Sequence, residues 1–461
     1  MTALKLLTAA LISFLPAWLL LARLVPRETT ARPYVIAGYG GLIGLLVTTL
    51  IMRFLSLVDV PFSLYSLGGV ALLLALAVRF SPPSWQPDAV NAVPMENQTL
   101  TRLQKGFILI CLTLLASRLL ALGLEAGTRP VWAWDAKQHW TKQAKVFFEL
   151  RSVVPYVSLQ EWLELGGKGV YTNMHPDYPI ATPLLQAWTS IALGYWHDSA
   201  VNLLWPVMWL LLGLVFYSQA RISGAKATIA VGATFMALSL PYLNTHVALA
   251  GYADLLMATC YLAAVAALYN WSQSRERWQL ILALLAGACC LLVKNEGFYW
   301  FLSLFPGILL VKAGLRKGVL CLAALAISLL FLLWILPADM AVAGHSLEKI
   351  NLGYRPDSWL PIYLSALVHD NWHFLVYLFL AALLTAPFYG QKQLPLAAVI
   401  LSALGLYLAL YLLTNNASGA VRFTSLNRVF LHLAPAMAFF TLTVYLAVAN
   451  RRPESAQPLG G

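Results

Sequence analysis

The sequence predicts an all-α, polytopic transmembrane helical bundle, and three observations predict it. Sixty per cent of the 461 residues are hydrophobic and only 11% are charged, about half the charged share of a soluble domain. Apolar runs of roughly twenty residues recur along the chain, the length at which a helix rising about 1.5 Å per residue crosses about 30 Å of hydrocarbon. The 16 Trp and 20 Tyr supply amphipathic rings of the kind that collect at the headgroup level.

The apolar runs fall at 6–24, 36–57, 61–78, 107–124, 201–219, 228–243, 253–271, 280–293, 298–311, 319–336, 372–389, 394–413 and 429–449. By the length rule they make about thirteen spans. The first follows Lys5 and resembles a signal peptide. It has no small-residue cleavage site and runs directly into Arg23, Arg27 and Arg32, so it reads as a retained span. All five cysteines (Cys111, Cys260, Cys289, Cys290, Cys321) lie inside apolar runs, which points to neither a disulfide nor a thiolate metal site.

The formal net charge of +11 is carried in short links between the runs, a pattern that sets topology and gives no footprint for nucleic acid. Basic links at Arg27/Arg32, Arg102/Lys105, Arg221/Lys226, Arg275/Arg277, Lys312/Arg316/Lys317, Lys392 and Arg451/Arg452 all face the cytoplasm if segment 179–196 does not cross. That segment holds Thr182, Pro183, Gln186, Thr189 and Ser190 and reads as a helix lying along the surface. The expected organisation follows. Residues 1–80 form three accessory N-terminal spans, 81–105 a cytoplasmic linker rich in Pro, Asn and Gln, and 450–461 a cytoplasmic tail. Residues 106–449 form a membrane domain whose external loop, 125–200, bears juxtamembrane helices.

Charged side chains at membrane depth cost about 3 kcal/mol each, so those at the outer span ends invite a functional reading. After the fourth span comes Trp132-Ala-Trp134-Asp135-Ala-Lys137-Gln-His139-Trp140-Thr-Lys142. If helical, it sets Asp135, His139 and Lys142 on one face. A carboxylate beside cations suits deprotonating a hydroxyl while a phosphate is held nearby. The same segment reads equally as an interfacial helix with tryptophan anchors. In Met174-His175-Pro176-Asp177-Tyr178-Pro179, Asp177 is a candidate helix cap, and His175 with Asp177 offers two ligands for a divalent ion. Asp254 opens a span with no basic residue beside it in sequence. Lys294 lies between two runs with Glu296 as a local partner, and Arg422 and Arg428 lead into the last span with planar groups suited to phosphate. Arg118, inside the fourth span, is a further cation that could pair with Asp254 or approach a lipid phosphate. No phosphate-cradling glycine loop and no dinucleotide fingerprint is present.

At these residues the chain resembles the polyprenyl-phosphate-dependent membrane glycosyltransferases of the GT-C fold, in the branch of the protein O-mannosyltransferases and the lipid A aminoarabinose transferase. Trp134-Asp135 stands where that branch carries an acidic catalytic motif, and His175-Pro176-Asp177-Tyr178-Pro179 resembles its proline-rich loop motif. Asp254-Leu255-Leu256, Lys294 with Gly297, and Arg428-Val429-Phe430 through Pro435 resemble its later motifs. The likeness covers residues 105–449. The chain departs from the branch in its three extra N-terminal spans and in having one acid in the first motif where relatives often have an adjacent pair.

The resemblance implies inverting transfer of one sugar from a polyprenyl-phosphate donor to a hydroxyl-bearing envelope acceptor, in the inner membrane with the site facing the periplasm. Asp135 is the implied catalytic base. Lys137, Lys142, Lys294, Arg422 and Arg428 are the implied phosphate ligands, with His139, His175, Asp177, Tyr178, Asp254 and Glu296 positioning the substrates. The resemblance specifies no certain cofactor and leaves a divalent metal open. Two alternatives stand beside this reading: an O-antigen polymerase or ligase using a diphosphate-linked donor, and a non-enzymatic flippase or transporter of lipid-linked glycans.

Overall fold

The computed structural model describes residues 2–81, 100–335, 341–342, 345–346, 351–389 and 391–450. Most of the expected linker, and the expected tail with Arg451 and Arg452, lie outside the described residues. Seven helices are long and apolar enough to cross a membrane: Ala3–Leu24, Arg32–Leu57, Arg102–Thr128, Ala200–Ile222, Asp254–Ser274, Leu394–Leu413 and Leu426–Ala449. Helices Ala227–Leu238 and Pro241–Ala248 reach that length only as a pair, bent by 62°. Pro241 explains the break, because its ring removes a backbone donor and forces Leu240 out of the helical region; Leu240 sits at ψ 127°. Shorter apolar helices are Leu64–Phe80, Arg277–Val293, Gly297–Ala313 and Leu375–Tyr389. Extended structure among the described residues is confined to two pairs of two-residue strands, of which the parallel one aligns Tyr156 with Tyr171 and Val157 with Thr172. The chain is a multi-pass, all-helical membrane protein.

Helix starts follow local chemistry. Thr101 and Gln104 form a reciprocal capping box at Arg102–Thr128, and Ser63 with Ser66 does the same at Leu64–Phe80, each satisfying backbone donors that would otherwise be orphaned. Burial then sorts the helices. Asp254–Ser274 is buried at every position from Asp254 to Trp271, as expected for a helix apolar on all sides. It is the axis against which Ala200–Ile222, Arg277–Val293 and Leu426–Ala449 pack. Arg102–Thr128, by contrast, buries only 11% of its apolar window, so nearly all of that helix faces the bilayer.

The N-terminal helices are stitched into this core. Tyr39 Oη donates to the Ala263 carbonyl at 2.8 Å, and Gln219 Nε2 bridges Tyr39 Oη (2.9 Å) and Gln279 Oε1 (3.2 Å). Asn270 Nδ2 completes the network on Gln219 Oε1 at 2.6 Å. Four helices therefore share one hydrogen-bonded polar cluster in an apolar interior, which fixes their mutual depth, although Gln279 Nε2 has no partner among the described residues.

Helix Ala181–Leu193 corrects the expectation for segment 179–196. It does not lie along a surface: 12 of its 13 residues are buried, enclosed by Thr2–Leu24, Arg32–Leu57 and Lys142–Leu150. Gln186 finds its partner inside the protein, exchanging hydrogen bonds with Thr141 at 3.1–3.2 Å, whereas the Thr182 and Ser190 hydroxyls are buried without a partner among the described residues. At about 20 Å in length it is also too short to cross.

Where Arg277–Val293 ends, the backbone turns through extended Lys294 (φ −154°, ψ 160°) and re-enters a helix at Gly297. A Cβ on Gly297 would lie 1.9 Å from the Cys290 carbonyl oxygen, so the two helices meet backbone to backbone. Gly297→Ala must push them apart and is expected to destabilise the protein by several kcal/mol. The check is thermal unfolding in detergent, where an unchanged midpoint would show that the elbow can open at no cost.

Candidate functional site

The residues that bear charge converge at this elbow. Asp254, fully buried at the first turn of the central helix, receives three donors. Lys294 Nζ (3.0 Å) and His432 Nε2 (2.9 Å) meet Oδ1, and Arg428 Nε meets Oδ2 at 3.1 Å. The Arg428 guanidinium also pairs with Asp135 through Nη1, and Lys294 Nζ is 3.1 Å from Glu296 Oε1. Three carboxylates thus face two permanent cations. His432 adds no charge, because Trp300 Nε1 donates to its Nδ1 at 3.1 Å; a ring nitrogen that accepts carries no proton, so Nε2 holds the single N–H given to Asp254. The second oxygen of Glu296 is buried without a partner among the described residues. The Arg428 guanidinium lies 4.4 Å above the centre of the Tyr252 ring.

Local backbone explains how residues so far apart meet. Residues Ala136–Thr141 form a π-helix, and Gly251, at φ +109°, lets Ala136 approach to where a Cβ would lie only 2.4 Å from the Ala136 methyl. That close contact presses the Asp135 turn onto the mouth of the central helix. The π-helix also corrects the expected common face of Asp135, His139 and Lys142, because its i→i+5 bonding breaks the 3.6-residue register that the expectation assumed. His139 turns inward, its Nδ1 3.0 Å from Asn173 Oδ1. Lys142 Nζ donates to the Thr172 carbonyl at 2.9 Å, and Lys137 Nζ sits 5.0 Å from the Trp132 ring centre. Neither lysine joins the charged network.

The loop motif forms an aromatic wall beside it. The His175 ring stacks on Tyr178 at 4.7 Å and lies 4.9 Å from His139, while Trp140 stacks on the other neighbour of this group, Tyr178, at 5.4 Å. Burial and the adjacent His139 depress the His175 pKa below its usual value, which keeps it neutral near pH 7. Asp177 does not cap Ala181–Leu193, whose preceding residue, Ile180, offers no side-chain cap. Asp177 instead accepts from Asn295 Nδ2 at 2.8 Å and so ties the loop to the elbow. Arg118 does not reach Asp254: its nearest partner is the Ser239 carbonyl at 3.5 Å, on an exposed face. Arg422 is exposed, with no side-chain hydrogen bond or ion pair among the described residues. No group of three His, Cys, Asp or Glu side chains suited to a metal gathers among the described residues.

The Glu296 carboxyl gives a pH test of this geometry. Burial, the largest single influence, would raise its pKa, but the Lys294 ammonium and the smaller favourable interactions beside it together hold it below the ordinary 4.5. A depressed carboxyl contributes stability that is present above its unfolded value and lost as pH falls through the folded one. The stability advantage of wild type over Glu296→Gln is therefore expected to be constant above about pH 5.5 and to shrink below pH 4.5. Urea titrations across that range measure it, and an advantage that grows on acidification would refute the pairing with Lys294.

Sequence reasoning missed His432, Trp300, Asn173, Asn295 and Tyr252. His432 carried a usable signal, since it lies one helical turn beyond Arg428 in an apolar run, where an ionisable residue is rare. No protein family, characterised protein or solved structure matches the chain.

Proposed function

We propose that this chain is a glycosyltransferase of the GT-C type, moving one sugar from a polyprenyl-phosphate donor to an envelope hydroxyl at the outer face of the inner membrane. The observation that carries the reading is the fully buried Asp254, which holds Lys294 and Arg428 side by side while Arg428 alone reaches out to the partly exposed Asp135. Thirteen crossings would require that the bent pair, the four shorter apolar helices and Leu315–Ile335 each cross in addition to the seven long helices.

Charge balance dictates the order of events. Both cations are neutralised at rest, so an arriving phosphate monoester must compete for one of them, and the accessible competitor is Asp135 on Arg428. Displacement frees the Asp135 carboxylate beside the donor. Asp135 then takes the proton of the acceptor hydroxyl as that oxygen bonds to the anomeric carbon. The bond from the anomeric carbon to the phosphate oxygen breaks from the opposite side, and the leaving phosphate takes the electron pair under Arg428 and Lys294. The configuration at carbon inverts. The test is purified protein in liposomes with polyprenyl-monophosphate and polyprenyl-diphosphate sugars. Transfer from the monophosphate alone supports the proposal, and transfer only from the diphosphate supports a polymerase or ligase. Mass spectrometry of envelope glycolipids and glycoproteins with and without the gene would identify the sugar and the acceptor.

One observation favours transport instead. One apolar helix pair is bent by 62° at Pro241, and discontinuous helices beside buried charge mark many transporters. Movement of a lipid-linked glycan across the liposome without any covalent product would establish that alternative.

A further inference from the structure

The central helix connects the charged cluster to a second feature at its other end. The helix runs 21 residues from Asp254 to Ser274, which places the two ends about 30 Å apart, one bilayer core. At the Ser274 end lies a cavity of ≈ 360 Å³ between helices Asp254–Ser274, Leu304–Ala313 and Leu394–Leu413, with Arg275 and Lys392 in its wall. A second cavity of ≈ 690 Å³ adjoins it, sharing Gln273 and Lys392.

The chemistry of this end is one-sided. Arg275 Nη1 is held by the Val311 carbonyl at 2.9 Å, which fixes the guanidinium while leaving its other donors free of any recorded partner. Both the Arg275 guanidinium and the Lys312 ammonium lie 5.7 Å from the centre of the Trp271 ring. None of Arg275, Lys312 and Lys392 forms an ion pair with a carboxylate among the described residues. The sequence neighbour Glu276 is engaged by the Trp278 indole. In the adjoining cavity the side-chain oxygen of Gln393, a residue only 5% exposed, has no hydrogen-bond partner. The rest of the first wall is aliphatic, Leu310, Leu315 and Leu394 among it.

We propose that this cavity binds an anionic phospholipid of the surrounding bilayer, its phosphate between Arg275 and Lys392 and Lys312 at the rim. An acyl chain runs along Leu310, Leu315 and Leu394, and a headgroup hydroxyl donates to Gln393. A held Arg275 and an exposed Lys392, neither ion-paired to a carboxylate among the described residues, select for such a headgroup in a recess at the end of a membrane-length helix. The site is separate from the Asp254 cluster and does not depend on the function proposed for it.

The experiment is native mass spectrometry of the full chain from detergent, after incubation with phosphatidylglycerol, phosphatidylcholine or inorganic phosphate. One phosphatidylglycerol is expected to be retained, with phosphatidylcholine retained about tenfold less. Lys392→Gln and Arg275→Gln are each expected to lower phosphatidylglycerol retention by about fivefold, and Arg316→Gln, on the same basic link but outside the cavity wall, leaves it unchanged. Lys392→Gln keeps the test informative if Arg275→Gln fails to fold, because Lys392 has no recorded side-chain bond to lose. Equal retention of both lipids, or equal loss in Arg316→Gln, would overturn the proposal in favour of general surface attraction. Release of phosphatidylglycerol by millimolar inorganic phosphate would overturn the lipid assignment in favour of a soluble phosphate.

Discussion

Asp254→Asn is expected to destabilise the protein by about 3–5 kcal/mol, because it removes the single anion that two buried cations share. Lys294 is 5% exposed at its side chain and Arg428 16%, so neither can recover its hydration when the carboxylate is gone. The amide keeps the volume and one acceptor, which separates loss of charge from creation of a cavity. Breaking one side of a buried pair costs more than deleting the whole set, and this supplies the internal control. Asp254→Asn combined with Lys294→Met should recover part of the loss. Unfolding midpoints in detergent measure both, and a variant as stable as wild type would mean that Asp135 on Arg428 and Glu296 on Lys294 suffice to balance the two cations.

Asp135→Asn is expected to behave in the opposite way. Its carboxylate is 26% exposed at the edge of the network, and its partner Arg428 keeps Asp254 when the pair is broken. Exposed ion pairs contribute about 0–1 kcal/mol, so the melting point should hardly move. Under the proposed mechanism the same change removes the base and lowers transfer by about 10²–10⁴-fold. Donor affinity should rise, since the resting competitor for Arg428 has lost its charge. Wild-type turnover in a folded Asp135→Asn protein would end the assignment. Lost activity together with a lost fold would instead make Asp135 part of the scaffold. The two aspartates thus give a stability phenotype and an activity phenotype that a single shared role could not produce.

The contrast between them comes from burial, which local sequence does not encode. Asp135 and Asp254 read alike along the chain, each an acid near the end of an apolar run and within two residues of an aromatic side chain. Their fates differ because Asp254 heads a helix buried on all sides as far as Trp271, whereas Asp135 sits on a turn at the mouth. Similarly, Lys137, Lys142 and Lys294 were equal candidates for holding phosphate. Only Lys294 enters the network, since the elbow at Gly297 folds it inward, while the π-helix turns Lys142 toward the Thr172 carbonyl. Segment 179–196 shows the same limit. Its polar residues argue against a crossing, yet they do not show whether water or protein meets Gln186. Gln186 meeting Thr141 is a contact across 45 positions.

By itself the sequence determined that the chain is helical and embedded in lipid, because apolar length and scarce charge are local quantities that each segment carries alone. It also narrowed the chemistry to a handful of ionisable residues, because charge at membrane depth is costly wherever it occurs. The tertiary structure decided which of them meet. Asp254 finds Lys294 across 40 positions and Arg428 across 174, and Arg428 finds Asp135 across 293. Such partners are chosen by helix packing and by two tight glycine contacts, which no local pattern specifies.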